Sequence, residues 1–132
     1  MPVLSAKKAC ERRLSTLSLP TAYEGISFTP PSGLYLATQL KVNTPDEPTI
    51  GDTYYRERIT FQVFVCDVLN KGTGNALAVV EQVRDLFPKG LTLTEGAYTI
   101  HFLNQASVKG SVVTEDRLVY PVMIDMFVEV YS

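Results

Sequence analysis

Between Arg117 and Tyr131 every second residue is apolar. Leu118, Tyr120, Val122, Ile124, Met126, Val128 and Val130 form a stripe of seven positions. A period of two belongs to a strand with one buried face, whereas a helix repeats its apolar positions every three or four residues. Two further segments carry the same period. Leu34 to Val42 sets Leu34, Leu36, Thr38, Leu40 and Val42 on one face. Thr53 to Cys66 alternates Tyr55, Glu57, Ile59, Phe61, Val63 and Val65 with Tyr54, Arg56, Arg58, Thr60, Gln62, Phe64 and Cys66. Being adjacent in sequence, these two segments pair most simply as an antiparallel hairpin. Its tip, Asn43 to Asp52, holds Pro45, Asp46, Glu47, Pro48 and Gly51, all poor strand formers. Much of that tip is expected to project beyond the core, because Arg56, Glu57 and Arg58 are costly to bury unpaired.

Two segments switch to the helical period. Over residues 2–18, Val3, Ala6, Cys10, Leu14 and Leu17 share one face, with Lys8, Glu11, Arg12 and Ser15 opposite. Pro2 suits the first turn and Pro20 stops the helix. From Asn75 to Phe87, Ala76, Val80, Val83 and Phe87 form the apolar stripe, with Glu81, Gln82, Arg84 and Asp85 outward. Residues 20–33 read as a connector, stiffened at Thr29-Pro30-Pro31-Ser32-Gly33 and pinned to the core by Ile26 and Phe28. Leu91 to Thr94 and Ala97 to Leu103 read as short strands around a Glu95-Gly96 turn. Residues 104–116 are polar and glycine-containing, and read as an exposed loop. The order is helix, hairpin, helix, small hairpin, long strand. It specifies an α+β domain with a mostly antiparallel β-sheet and two packed α-helices. The length of 132 residues suits a single domain, 1–132.

The longest aliphatic run, Ala76 to Val80, is far short of the roughly 20 residues a membrane helix needs, so no membrane partner is expected. Lys7, Lys8, Arg12 and Arg13 fall where the apolar part of a secretory signal would lie. Two cysteines, Cys10 and Cys66, are too few for a disulfide scaffold, and synthesis in a reducing cytoplasm fits them.

Catalytic patterns are missing from the sequence. His101 is the only histidine, set in a strand pattern, and no GxSxG elbow accompanies it. Neither an HxxxH nor a CxxC pair supplies zinc ligands, and Asp46-Glu47 and Glu115-Asp116 lack the alternate spacing of a calcium loop. Gly72-Thr73-Gly74 precedes a helix but lacks the lysine and hydroxyl of a phosphate loop, and reads as a flexible helix entry. Cys10 lies within an apolar stripe and reads as a small buried hydrophobe. The reading is therefore no enzyme, no cofactor and no metal.

The second face of the sheet is more informative. The last strand carries Val119, Met123, Phe127 and Tyr131 there, and the central strand carries Phe64 and Cys66. Either the helices or loops cover both faces, or two helices share one face and leave the other to a neighbouring subunit. Charge is also uneven within a formal net charge of −2. Residues 1–41 hold Lys7, Lys8, Arg12, Arg13 and Lys41 against Glu11 and Glu24, whereas residues 111–132 hold Arg117 against Glu115, Asp116, Asp125 and Glu129. Opposite patches of that kind can meet in an assembly. The hairpin stem offers Tyr54, Tyr55, Arg56 and Arg58, residue types enriched at interfaces, and Arg56 and Arg58 share a strand face from which both could meet an acidic patch such as Glu115 and Asp116 on a neighbour. Together with Asp46, Glu47, Glu115 and Asp116 they make the candidate subunit or partner contacts.

Several strings, in their order and spacing, resemble the tail terminator proteins of long, non-contractile-tailed bacteriophages, the lambda minor tail protein U type. They are the amphipathic opening helix, Ile26-Ser27-Phe28-Thr29-Pro30-Pro31, Leu34-Tyr35-Leu36, Arg56-Glu57-Arg58 leading into Phe61-Gln62-Val63, and Leu86-Phe87-Pro88-Lys89-Gly90-Leu91. The resemblance implies a structural virion protein made in the host cytoplasm. It implies a homo-oligomer, usually a hexameric ring, on the head-proximal end of the tail tube. Such a ring stops tube polymerisation, contacts the tail tube protein and the head-tail connector protein, and lets DNA pass through its pore. A mildly acidic chain suits a lining that must not hold phosphates strongly. Another phage neck or head-completion protein is the nearest alternative, followed by a small ligand-binding domain.

Overall fold

The computed structural model describes residues 2–45, 54–69, 72–102, 104–114 and 116–131. Its spine is two 14-residue strands, β3 (Tyr55–Val68) and β8 (Arg117–Val130), paired antiparallel from Tyr55 opposite Val130 to Val68 opposite Arg117. The apolar stripe of β8 thus meets that of β3 along its whole length. On the other side of β3 lies β2 (Tyr35–Val42), in the antiparallel hairpin expected from the sequence, with Tyr35 opposite Cys66 and Val42 opposite Ile59. Residues 46–52 of the hairpin tip, Asp46 and Glu47 among them, lie outside the described residues.

Both helices pack on one face of this sheet. Helix α1 (Pro2–Leu14) and helix α2 (Gly74–Leu86) bring Ala6, Cys10, Leu14, Ala76, Val80 and Val83 against Ile59, Phe61, Val63 and Val65 of β3 and against Val122, Ile124, Met126 and Val128 of β8. Phe87, just past α2, meets the rings of Phe61 at 6.1 Å and Phe102 at 5.6 Å between centroids. Each fully buried side chain of this kind contributes roughly 1.5–3 kcal/mol. Sequence periodicity located this core well: Leu14, Phe61, Val63, Val80, Phe87 and Ile124 are all buried.

Helix α1 ends earlier than Pro20 alone would dictate. A 3-10 turn, Ser15–Leu17, follows it. The Ser15 and Thr16 hydroxyls donate to the carbonyls of Arg12 and Arg13, and Ser18 takes the left-handed conformation at φ 57°. These local bonds replace helical ones. Arg84 is not outward as the helical pattern suggested, since its Nε donates to the Ala106 carbonyl at 3.0 Å and ties α2 to the segment before β6.

The connector holds a short strand, β1 (Thr21–Ala22), parallel to β2. Ile26 does not pin it. A turn closed by the Ile26 amide on the Tyr23 carbonyl, with Gly25 at φ 82°, swings Ile26 outward to 65% exposure. Phe28 instead packs on Tyr35 at 5.4 Å, and the Arg117 guanidinium donates to the Pro31 and Gly33 carbonyls. β4 (Thr92–Glu95) and β5 (Tyr98–His101) form the expected small hairpin, and β5 joins β8 at Ile100 and His101.

Residues 104–116 are more ordered than the sequence suggested. β6 (Ser107–Val108) and β7 (Val112–Thr114) both pair with β8. Val108 faces Val122 while Val112 faces Val119, so one extra residue separates the two pieces on this side. The interruption sits opposite Pro121, which has no N–H to offer a continuous ladder and whose carbonyl accepts from the Lys109 amide at 3.0 Å. Among the described residues the strand order is β1-β2-β3-β8-β5-β4, with β6 and β7 also on β8. No helix among them is long and apolar enough to cross a membrane.

Candidate assembly interface

The sheet face opposite the helices carries the even-numbered residues of β3 and the odd-numbered residues of β2 and β8. Its character changes along the strands. At the middle it is polar. Gln39 pairs with Gln62, and the Thr60 hydroxyl donates to Asp125 Oδ1 at 2.8 Å while accepting from Asn43 Nδ2 at 3.0 Å.

At the end nearest the hairpin tip, aromatic rings and charges interlock. The Tyr54 and Tyr131 rings meet at a 38° tilt with centroids 4.8 Å apart. Their hydroxyls donate to the two oxygens of Glu129, at 3.1 and 3.3 Å. Arg56 Nε donates to the Tyr54 hydroxyl at 3.1 Å, and its guanidinium lies 5.1 Å from the centre of the Phe127 ring. His101 stacks on Phe127 at 4.8 Å and 19°. Arg58 is exposed on the same face. This cluster arises because Arg56, Phe127 and Glu129 occupy neighbouring positions of one paired register, Arg56 opposite Glu129 and Arg58 opposite Phe127.

At the far end of the same strands lies an apolar groove of about 550 Å³. Tyr35, Ala37, Phe64, Cys66, Val119 and Pro121 line it, and Pro30, Val112 and Asp116 form part of its margin. Arg117 holds the connector side of the groove in place through its carbonyl contacts and lies over the Tyr35 ring at 5.1 Å. Burial pushes the Cys66 thiol above its ordinary range, and burial together with the neighbouring Cys66 raises the Tyr35 phenol. Cys10, on the helix side, is raised far more by burial, and its Sγ sits 3.6 Å from the Met126 sulfur. Both thiols are held neutral, which is the unreactive form.

The sequence-predicted contact residues separate into three places. Tyr54, Arg56 and Arg58 come together at the tip end. Tyr55 has the opposite parity on the strand and lies across the sheet from them. Asp116 is at the groove end, and Asp46, Glu47 and Glu115 lie outside the described residues. The sequence reading did not connect Glu129 to Tyr54 or Tyr35 to Phe64. The signal was parity: each pair occupies one face once the β2–β3–β8 register is fixed.

The basic N-terminal patch is partly consumed inside the subunit. Lys7 pairs with Glu11 at 2.8 Å, Arg12 pairs in two-pronged fashion with Glu95 of β4, and Arg13 donates to the Leu86 carbonyl at the end of α2. Among the described residues no group of three His, Cys, Asp or Glu is placed to hold a metal ion.

A sequence model of the family described as phage tail terminator protein matches residues 5–125. One solved structure, 26% identical, superposes with a TM-score of 0.79 over 96% of this chain and 95% of its own. No curated protein matches the chain.

Proposed function

The chain belongs to the phage tail terminator protein family, a component of the phage tail, and from that premise we propose that it ends growth of the tail tube as a ring of identical subunits. In this reading the ring is a hexamer, sits on the head-proximal end of the tube and presents its other side to the head connector. DNA passes through the centre. The role requires no covalent chemistry: the ring binds the tube end and lacks the surface on which another tube ring would stack.

The observation that carries this reading is the family match over residues 5–125. The one-sided sheet supports it. A ring needs two different, complementary patches on each subunit. The helix-free face offers an aromatic, charged end and an apolar groove end, set apart on one scaffold.

The test is a tube assembly reaction. Purified tail tube protein is polymerised with and without this protein, and tube lengths are measured by electron microscopy. Addition should shorten the tubes and leave a cap of density on one end only. Tubes of unchanged length and bare ends at stoichiometric excess would refute the role.

A further inference from the structure

We propose that the tip end of one copy, the Tyr54–Tyr131 ring pair with Arg58 further along the same sheet face, docks in the apolar groove of a second copy. The contact rests on the ring reading above and specifies which surfaces close the ring. Four observations lead to it.

First, the two surfaces match in kind. The tip presents paired aromatic rings, with Tyr131 72% exposed, and aromatic side chains with arginine dominate the centres of protein interfaces. The groove is apolar, and its 550 Å³ falls within the roughly 300–1,000 Å³ of sites that enclose groups of this size.

Second, the charges are complementary. Arg58 at the tip and Asp116 at the groove margin are both exposed, and neither forms an ion pair with any described residue. The paired-arginine idea from the sequence narrows to Arg58, because Arg56 is engaged in holding the tip together.

Third, the tip is preorganised. Glu129 accepts from both tyrosine hydroxyls, so docking orders few side chains anew.

Fourth, a subunit cannot satisfy its own groove. Ten positions of paired strand separate Tyr54 and Tyr131 from Phe64 and Pro121 at the near edge of the groove, about 33 Å at the usual rise per residue. The occupant must therefore come from another molecule. Made once between two copies the contact is head-to-tail, and its repetition closes into a ring or runs on as a filament, whereas a reciprocal pair of such contacts would stop at a two-fold dimer.

Cysteine cross-linking of the full chain tests this. In a Cys66→Ala background, the variant carrying both Asn104→Cys, beside Arg58 and Phe127, and Thr114→Cys at the groove should give a ladder of covalent multimers on mild oxidation. A mixture of the two single variants should stop at dimers. A second pair in the same background, Lys41→Cys with Val112→Cys, guards against one badly placed thiol, and circular dichroism checks that each variant is folded. Arg58→Glu should lower the multimer yield at least about tenfold, and Asp116→Arg in the same chain should restore it. No ladder from either pair would overturn the proposal, as would dimers alone from the double-cysteine chain, which signify a reciprocal two-fold contact. Equal loss in the charge-swapped chain would also overturn it. The tube-capping reaction separates this contact from the role: capping by a protein that never ladders removes the contact and keeps the role. A ladder without capping keeps the contact and removes the role.

Discussion

The two faces of the β3–β8 ribbon are built from the same 28 positions, yet one is finished within the subunit and the other is not. On the helix side Ile59, Phe61, Val63, Val122 and Val128 are at most 1% exposed. On the opposite side Phe64, Met123 and Phe127 are only half-buried, and Tyr131 stands out at the end. Alternation produced both faces, but only one received helices. The lesson is that a strand's second parity reports what the monomer leaves for something else. An antiparallel sheet open to water would carry polar residues there throughout, whereas here polar character is strongest in the middle.

That contrast predicts unequal responses to truncation. The largest effect belongs to Phe61→Ala or Phe87→Ala, each expected to cost about 3–5 kcal/mol in urea unfolding, since either leaves a cavity beneath the helices. The two rings touch, so the double variant should lose less than the sum of the singles. Equal losses from Phe127→Ala on the open face would erase the distinction between the faces.

A smaller effect is expected at Arg117, which anchors the connector to the sheet. Arg117→Ala removes charge-assisted bonds to the Pro31 and Gly33 carbonyls and its place over Tyr35, for a loss of about 1.5–3 kcal/mol. The measurable signature is local. Proteolysis should gain a site within residues 26–33 before the global unfolding transition moves far. Cleavage spread evenly over the chain would show that the connector is held by other contacts.

The comparison also explains what the sequence made legible. Long periodic stretches identified β2, β3, β8, both helices and the core, because burial on one face forces the period. The parts missed have little buried area to impose a pattern. Val112 and Val113 of β7 are 51% and 63% exposed, and β7 exists because it pairs with β8 beside the Pro121 interruption. A hairpin signal was present in Val112-Val113-Thr114 running into the last strand, but Gly110 and the polar flanks masked it. On the open face, residue types drew attention to Tyr54, Arg56 and Arg58 as candidates, while the groove was illegible. It needs Tyr35, Phe64 and Val119 side by side, and only the three-strand register provides that.

The helix side also holds the deepest thiol. Burial raises the Cys10 thiol well above its ordinary value of 9.0, with a smaller contribution from Glu11. The stability associated with keeping that proton is fully present below pH 9 and is lost as pH rises above it, because the unfolded chain ionises first. The difference in unfolding free energy between the native protein and Cys10→Ala should therefore shrink from pH 8 to pH 10.5. Thiol reagents should find Cys10 unreactive until the chain unfolds. A pH-independent difference, or prompt labelling of Cys10 in the folded protein, would contradict its placement.

The smallest effect is expected where the helix side meets solvent. Arg12 and Glu95 clamp α1 to β4 through two bonds of 2.5 and 3.2 Å, but Arg12 remains 67% exposed. Water and salt screen such a pair, and holding a long side chain costs entropy. The hydrogen bond from Arg12 lowers the Glu95 pKa from its ordinary 4.5. A lowered carboxylate contributes stability above its unfolded value, which is lost as pH falls through the folded one. Arg12→Ala should thus lower the melting temperature only slightly at pH 7 and low salt. The gap should narrow with added salt and again as pH falls through the lowered Glu95 value, closing once the carboxyl is protonated in both states. A gap that persisted in acid would assign the effect to packing of the Arg12 stem rather than to charge. If the pair behaves as expected, the charge of α1 is spent on closing the subunit, and ring formation should tolerate Arg12→Ala while remaining sensitive to Arg58→Glu on the open face.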